Sequence, residues 1–501
     1  MRRRVIPTAT PSLRQNTVGN LVGNAAPLLV AFFALPALTR TLGPARFGVL
    51  TLAWVVLGYF SLFDLGLGRA MTKDVAERIG LGQEETVPAL VWTTLALMAA
   101  LGLAGTIVTS MISPWLVHHA LRIPSELETE TLHSFYALAV SIPIVTTMAG
   151  LRGVLEAKQR FDLVNAIRIP FGAFTFLGPV IVLPFSQSLL AIVIVLLIGR
   201  VVAWACHLLL CLRLLPALRR PIQFDRSLLG PLLRFGSWIS VSNVVGPLMV
   251  SVDRFVIGAL LSVSAVAYYT APYEMVTKLW MIPAAFAGAL FPAFAAVWSH
   301  DVQRAASLLR QGIKYTFLLL FPLTLVIATL GQEGLTLWLG HDYGVNSTRV
   351  LQWLAIGVFL NSLAQIPFAL IQAAGRPDLT AKLHVFELPF YLGALWWLIR
   401  AYGIQGAAIA WTLRAFIDTT AVFGIARHLA SRNTFPVKWI GLCTAAAILI
   451  LAVVLFPLGL RTRASLLAIS LVVFGIITWA VVLAEQGSRW RAQRPRLERG
   501  P

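Results

Sequence analysis

Residues 155–163 read LEAKQRFDL and residues 371–379 read IQAAGRPDL, two polar knots in a chain that is otherwise apolar over most of its length. Laid over each other, Ala157, Arg160, Asp162 and Leu163 fall on Ala373, Arg376, Asp378 and Leu379, a constant offset of 216. Other landmarks repeat in the same order. Arg14 maps to Arg234 and Pro27 to Pro247, with APLLV at 26–30 over GPLMV at 246–250, and Arg200 in LLIGRVV maps to Arg414 in AWTLRAF. Ordered matches with small drifts in offset are what a duplicated chain shows after insertions and deletions in its loops.

The surroundings of the knots decide what was duplicated. The chain has 501 residues, 58% hydrophobic and 12% charged, with a mean hydropathy of +0.80. A soluble domain carries about 25% charged residues. Apolar runs of about 20 residues, the length that crosses ~30 Å of hydrocarbon, recur from end to end. Fourteen spans are expected, near 17–39, 47–66, 87–111, 131–150, 161–183, 189–212, 231–256, 266–298, 315–338, 348–372, 381–399, 405–426, 439–459 and 465–484. Six spans separate the knots, an even number, so both copies face the same side of the membrane. The fold class is an all-α polytopic membrane protein of two parallel six-helix lobes with two helices appended. The expected divisions are a segment 1–16, an N-lobe 17–212, a linker 213–230, a C-lobe 231–430, helices at 431–485 and a basic tail 486–501.

The formal charge of +19 invites a nucleic-acid reading, but its distribution argues against one. With the N-terminus placed in the cytoplasm, 28 of the 40 Lys and Arg fall on the cytoplasmic side and 8 on the outer side. That asymmetry follows the positive-inside rule and puts both termini in the cytoplasm. The tail SRWRAQRPRLERGP (488–501) then reads as an anchor on anionic phospholipid. Cys206, Cys211 and Cys443 lie in expected spans without metal spacing or an evident disulfide. MRRRVIP at the start has the charge of a signal n-region but no small-residue cleavage site after it, so the first span is read as retained.

Parallel repeats of this kind are a transporter architecture, with the substrate near the midplane. Intramembrane cations are the candidates for contacting it, because a charge at mid-bilayer costs about 2.5–3.5 kcal/mol and needs a partner or a task. Arg200 has no carboxylate within four residues on either side; Arg168 has none at i±3 or i±4. Glu274/Lys278 and Arg414/Asp418 are i,i+4 pairs, readable as local salt bridges. Arg14 and Arg234 add matched cations near the inner ends of the first and seventh spans. Asn20 and Asn24, one turn apart with Asn16, and Asn243 in the seventh span offer amides that suit sugar hydroxyls or bind neighbouring helices. Pro27 and Pro247 are expected to bend their helices at matching depths. Arginine with few acids selects an anion, since guanidinium grips phosphate through two parallel hydrogen bonds.

The stretch TRTLGPARFGVLTLAWVVLGYFSLFDLGLGRAMTKDVAE (39–77), with DRFVIGALLSVSAVAYYTAPYEM (253–275) and QAAGRPDL…YGIQGAAIAWTL (372–413), resembles the polysaccharide-export flippases of the Wzx type in the MOP superfamily. The resemblance covers nearly the whole chain and rests on diffuse Gly, Pro and aromatic positions. It implies a MATE-like fold around a cationic cavity, and a protein of the bacterial inner membrane that moves undecaprenyl-diphosphate-linked oligosaccharides to the outer leaflet, beside the polysaccharide polymerase or ligase machinery and without a cofactor. The same fold also serves lipid II flippases and cation-coupled multidrug exporters, which stay open as alternatives. An enzyme is the reading from another class. HHALRIPSELETETLHS (118–134) could mimic a metal site, but a solvated turn explains it, and neither GxxxxGK[ST] nor HExxH occurs.

Overall fold

The computed structural model describes residues 13–59, 66–219, 224–230, 249–298, 301–429, 437–455 and 459–497, and among these residues no strand occurs. Among the described residues sixteen α-helices follow one another. They are α1 (Leu13–Tyr59), α2 (Leu67–Gly80), α3 (Val87–Trp115), α4 (Ser125–Val140), α5 (Ile142–Ala157), α6 (Phe161–Val182), α7 (Leu189–Leu214), α8 (249–260), α9 (Val263–Thr277), α10 (Met281–Val297), α11 (Val302–Leu339), α12 (His341–Ala373), α13 (Pro377–Tyr402), α14 (Ile404–Leu429), α15 (Val437–Leu455) and α16 (Leu460–Leu497). The membrane-protein reading holds: among the described residues nine helical stretches are long and apolar enough to cross a bilayer.

α1 holds 47 residues, about 70 Å of helix at 1.5 Å per residue, more than twice the hydrocarbon thickness. It therefore comprises the first two expected spans, and the break between them is Gly43, at φ 70° and ψ 169°. Only glycine adopts that backbone region without strain, and Pro44 after it restarts the helix with no N–H to waste. Gly43 is the residue of α1 with non-helical dihedrals, and the chain stays helical through Pro27. The Pro27 ring packs where Gly172 of α6 carries no side chain. Pro247, with Arg234 and Asn243, lies outside the described residues; for Arg14, Asn20 and Asn24 the helix is described but not the side chains.

The chain forms two compact units, Met1–Ala271 and Pro272–Pro501. In the first, α2, α3 and α5 pack through Met71, Leu90, Met98, Leu151, Val154 and Leu155, and α6 lies against α1 and α7. The turn between α8 and α9 is tied to the segment after α3, Arg122 donating its N–H to Gly258 at 3.0 Å. In the second, α12 is the central helix, largely buried between α11 and α14. Phe317 and Phe321 of α11, Phe359 of α12 and Phe474 of α16 form one aromatic cluster. Arg463 fastens α16 to α11, with 2.9 Å to Glu333 and 3.0 Å to the Thr329 carbonyl.

The repeated phrase now has a physical meaning. At the end of α5 the N–H of Arg160 bonds the Leu155 carbonyl at 3.0 Å, and at the end of α12 the N–H of Arg376 bonds Ile371 at 3.2 Å. Both are six-to-one Schellman closures, each passing through a left-handed residue: Gln159 at φ 58° and Gly375 at φ 75°. The arginine then stands at the N-cap position of the next helix and clamps the aspartate two residues on, 2.7 Å for Arg160–Asp162 and 3.1 Å for Arg376–Asp378. Hydrogen bonding to Arg376 holds the Asp378 carboxyl below the usual carboxylate range. The phrase is thus a helix stop and a helix start written in nine residues, twice.

The two copies differ in the residue that bears the left-handed turn. A non-glycine residue there costs about 1–2 kcal/mol. Gln159→Gly is therefore expected to raise the midpoint of thermal unfolding of the detergent-solubilised protein, and Gly375→Gln to lower it.

Candidate functional site

In each unit a half-buried arginine lies over aromatic rings. In the first unit Arg200 extends from α7 with its guanidinium carbon 5.7 Å from the Phe171 ring centre on α6. The two helices approach closely because Gly199 and Gly178 leave room for the Phe174 ring. Among the described residues Arg200 has no hydrogen-bond or ion-pair partner, as its isolation in sequence suggests. Arg168, nearer the start of α6, is exposed.

In the second unit Arg414 of α14 lies 5.5 Å from the Tyr391 ring of α13 and 5.7 Å from the Trp411 ring. Trp411 is fully buried, wedged where Gly357 of α12 has no side chain and braced by Tyr273 at 6.3 Å and Trp280 at 6.0 Å. The local pair expected between Arg414 and Asp418 does not form. With Arg414 drawn over the rings, Asp418 turns to His384 Nε2, 3.4 Å away. The other expected pair does form: Lys278 reaches Glu274 at 2.8 Å, so Lys278 is a neutralised cation in the turn between α9 and α10.

Two groups of importance were missed in the sequence. Glu387 of α13 is 5% exposed, and neither of its oxygens has a hydrogen-bond partner. The offset of 216 places it on Phe171, which could have drawn attention to it. Asp253 is fully buried; it accepts hydrogen bonds from Tyr269 Oη and from the Arg254 N–H at 2.8 Å. The segment 118–134 has structural duties. His118 pairs with Glu128 at 2.7 Å, while Glu130 faces Arg46 at 3.5 Å and accepts the Leu189 N–H that opens α7. No trio of His, Cys, Asp and Glu placed to hold a metal occurs among the described residues.

Comparison with known proteins places this arrangement in a family. The model of the family described as "Polysaccharide biosynthesis protein" matches residues 37–348. The chain belongs to that family, the polysaccharide flippases of the Wzx type. It is 32% identical over 408 residues to a Shigella flexneri protein named as an O-antigen transporter, covering 81% of this chain and 96% of that one. A Haloferax volcanii protein named as a low-salt glycan biosynthesis flippase is 27% identical over 455 residues, 89% of this chain and 88% of its own. Among solved structures, an inward-facing multidrug resistance MATE transporter of the MOP superfamily aligns with a TM-score of 0.70 at 16% identity, over 81% of this chain and 97% of that one. This last likeness shows the MATE-like fold alone. These relatives are transporters by name rather than enzymes, and the protein is a multi-pass polysaccharide flippase.

In this flippase the second unit also holds an apolar cleft of about 530 Å³. Ile356, Leu360, Leu413, Phe416, Phe423 and Ile448 are among the residues that line it, from α12, α14 and α15. Leu413 adjoins Arg414, so a hydrocarbon surface and a cation are neighbours on one helix.

Proposed function

We propose that the protein carries a polyprenyl-diphosphate-linked oligosaccharide, of the undecaprenyl type, from the inner to the outer leaflet of the bacterial cytoplasmic membrane by alternating access. The observation that supports this most is Arg200: a cation at mid-span, set over an aromatic ring, with no carboxylate to neutralise it. A diphosphate is the complement of such a group, since guanidinium stays charged at any working pH and binds two phosphate oxygens in parallel. Arg414 supplies the matching cation of the second unit. Arg168, Arg14 and Arg234 would attract the anion from the cytoplasmic side, with Lys278 reinforcing them when it leaves Glu274. Asn20, Asn24 and Asn243 would meet sugar hydroxyls with amides that both donate and accept. The cleft beside Leu413 suits an isoprenoid chain, so the lipid tail need not leave an apolar medium.

Direction follows from electrostatics. With both termini in the cytoplasm, an inside-negative potential favours outward movement of an anion by about 2.3 kcal/mol per charge per 100 mV. The basic tail would rest on anionic phospholipid. Release on the outer face would deliver the cargo to polymerase or ligase machinery. An exporter of cations on the same fold would be expected to present Asp or Glu at the depth of Arg200.

Reconstituted into liposomes, the wild-type protein is expected to flip a fluorescent polyprenyl-diphosphate sugar. Arg200→Ala and Arg414→Ala should each slow the initial rate by about tenfold or more, in keeping with loss of a charge-assisted contact. Arg310→Ala, an exposed cation of α11, should flip at the wild-type rate. Normal rates in both Arg200→Ala and Arg414→Ala would refute the site.

A further inference from the structure

The α8–α9 hairpin belongs to the second copy of the repeat by sequence, yet the structure groups it with the first. Aligned on the residue that precedes each second helix, Gly43 in α1 and Ser262 before α9, the repeat runs at an offset of 219 and sets Gly48 on Ala267. The first unit nevertheless extends to Ala271, in the middle of α9. Pro272 follows, and its missing N–H leaves the helix one backbone hydrogen bond short at that point. With both termini in the cytoplasm, α3 ends and the hairpin turns on the outer side of the membrane.

Two features hold the hairpin there. The segment 121–123 clips its turn: Arg122 donates its N–H to the Gly258 carbonyl at 3.0 Å and accepts the Val263 N–H at 3.4 Å. Leu121 and Ile123 are buried on either side, and Gly258 leaves room for the Leu121 side chain, which would stand 2.9 Å from any Cβ at 258. The second feature is a backbone seat on α1. A Cβ at Gly48 would overlap the Val263 carbonyl oxygen and stand 2.6 Å from its carbon. The obstacle is main chain, so no change of rotamer relieves it. Hairpin and seat are each braced. Tyr269 Oη donates to Asp253, joining α9 to α8, and Ser262 Oγ accepts the Ala265 N–H at 3.1 Å. Two residues before Gly48, Arg46 faces Glu130 of α4 at 3.5 Å. A side chain at 48 is therefore not absorbed by local give; it displaces the hairpin.

We propose that the clip at 121–123 and the seat at Gly48 close the outer face, and that glycine at 48 is required in this closed form alone. Alternating access needs an outer barrier that opens once in each cycle. Two backbone hydrogen bonds and a glycine contact suit that duty, since they release together when the hairpin moves. Pro272 lets the outer part of α9 move apart from the rest of the helix. A residue larger than glycine at 48 penalises the docked form and leaves the undocked form untouched, so it shifts the population toward an outer-open protein. A glycine needed for folding alone would lower stability without that shift. The proposal rests on the alternating-access reading and names the residues that shut one side.

The experiment uses the full-length chain in right-side-out vesicles, with Cys206 and Cys443 replaced and Cys211 kept. A membrane-impermeant maleimide is added outside, and modification of Val263→Cys is followed by mass spectrometry. Gly48→Val should raise the rate by about tenfold or more, in keeping with an open state that is ~0.1–10% populated beforehand. Gly393→Val, at a glycine of α13 with nothing within 4 Å of an added Cβ, should leave the rate unchanged. Cys211, buried and bonded to the Leu151 carbonyl at 3.3 Å, stays unmodified while the bundle is intact, which separates opening from unfolding. Where Gly48→Val does not fold, a disulfide decides. Leu121→Cys with Gly258→Cys should oxidise to a bridge that stops flipping of the labelled lipid, and a reductant should restore it. An unchanged Val263→Cys rate in folded Gly48→Val, a cysteine pair that does not oxidise, or full flipping with the bridge formed would overturn the proposal. Flipping through the bridge would leave the flippase reading intact. No flipping by the wild type, with the Gly48→Val effect present, would sink that reading and leave the closure standing.

Discussion

A guanidinium placed in hydrocarbon must be compensated, and the functional account depends on how this protein does it. An arginine at mid-bilayer costs about 2.5–3.5 kcal/mol on insertion scales. A cation over an aromatic face recovers about 0.5–2 kcal/mol. Phe171 offers that to Arg200, and Tyr391 with Trp411 offers it to Arg414. The remainder calls for water or an anion. Each arginine is thus held in position without being neutralised, which a binding group for a diphosphate requires and a structural salt bridge does not provide.

The scaffold serves that placement through small residues. Gly199 and Gly178 admit Phe174 between α6 and α7, and Gly357 admits Trp411 between α12 and α14. The rings then fix the guanidinium groups. The hairpins at 155–163 and 371–379 set the start of α6 and α13, hence the height at which Phe171 and Tyr391 stand. A phrase that seems peripheral to transport thereby governs the level of the aromatic seats. Helix packing in a bilayer gains little from apolar burial alone, so close approach at glycine carries more of the association.

Much of this was legible before any coordinates. The hydrophobic runs, the offset of 216, the isolation of Arg200 and the Glu274–Lys278 pair all depend on short-range spacing, which sequence reports well. What was not legible depends on side-chain direction and on which of several breakers is used. Three prolines and several glycines lie in α1, and only the dihedrals at Gly43 say where it breaks. Spacing allowed Arg414 and Asp418 to pair, but the aromatic seat drew the arginine away and gave the aspartate to His384. Glu387 sits among apolar residues in ELPF with no pattern to show whether it meets lipid, water or protein. Its burial comes from α14, a contact that only the folded chain displays.

The most direct test of the central claim is the reactivity of cysteines placed at residues 200 and 414, one at a time, in a chain whose Cys206, Cys211 and Cys443 have been replaced. A charged, membrane-impermeant thiol reagent added to inverted vesicles reports whether either position meets water. The account predicts modification at both positions, slowed when a polyprenyl diphosphate is present to occupy the site. Modification only by lipid-soluble reagents, unaffected by the diphosphate, would mean that both side chains face hydrocarbon and would contradict it.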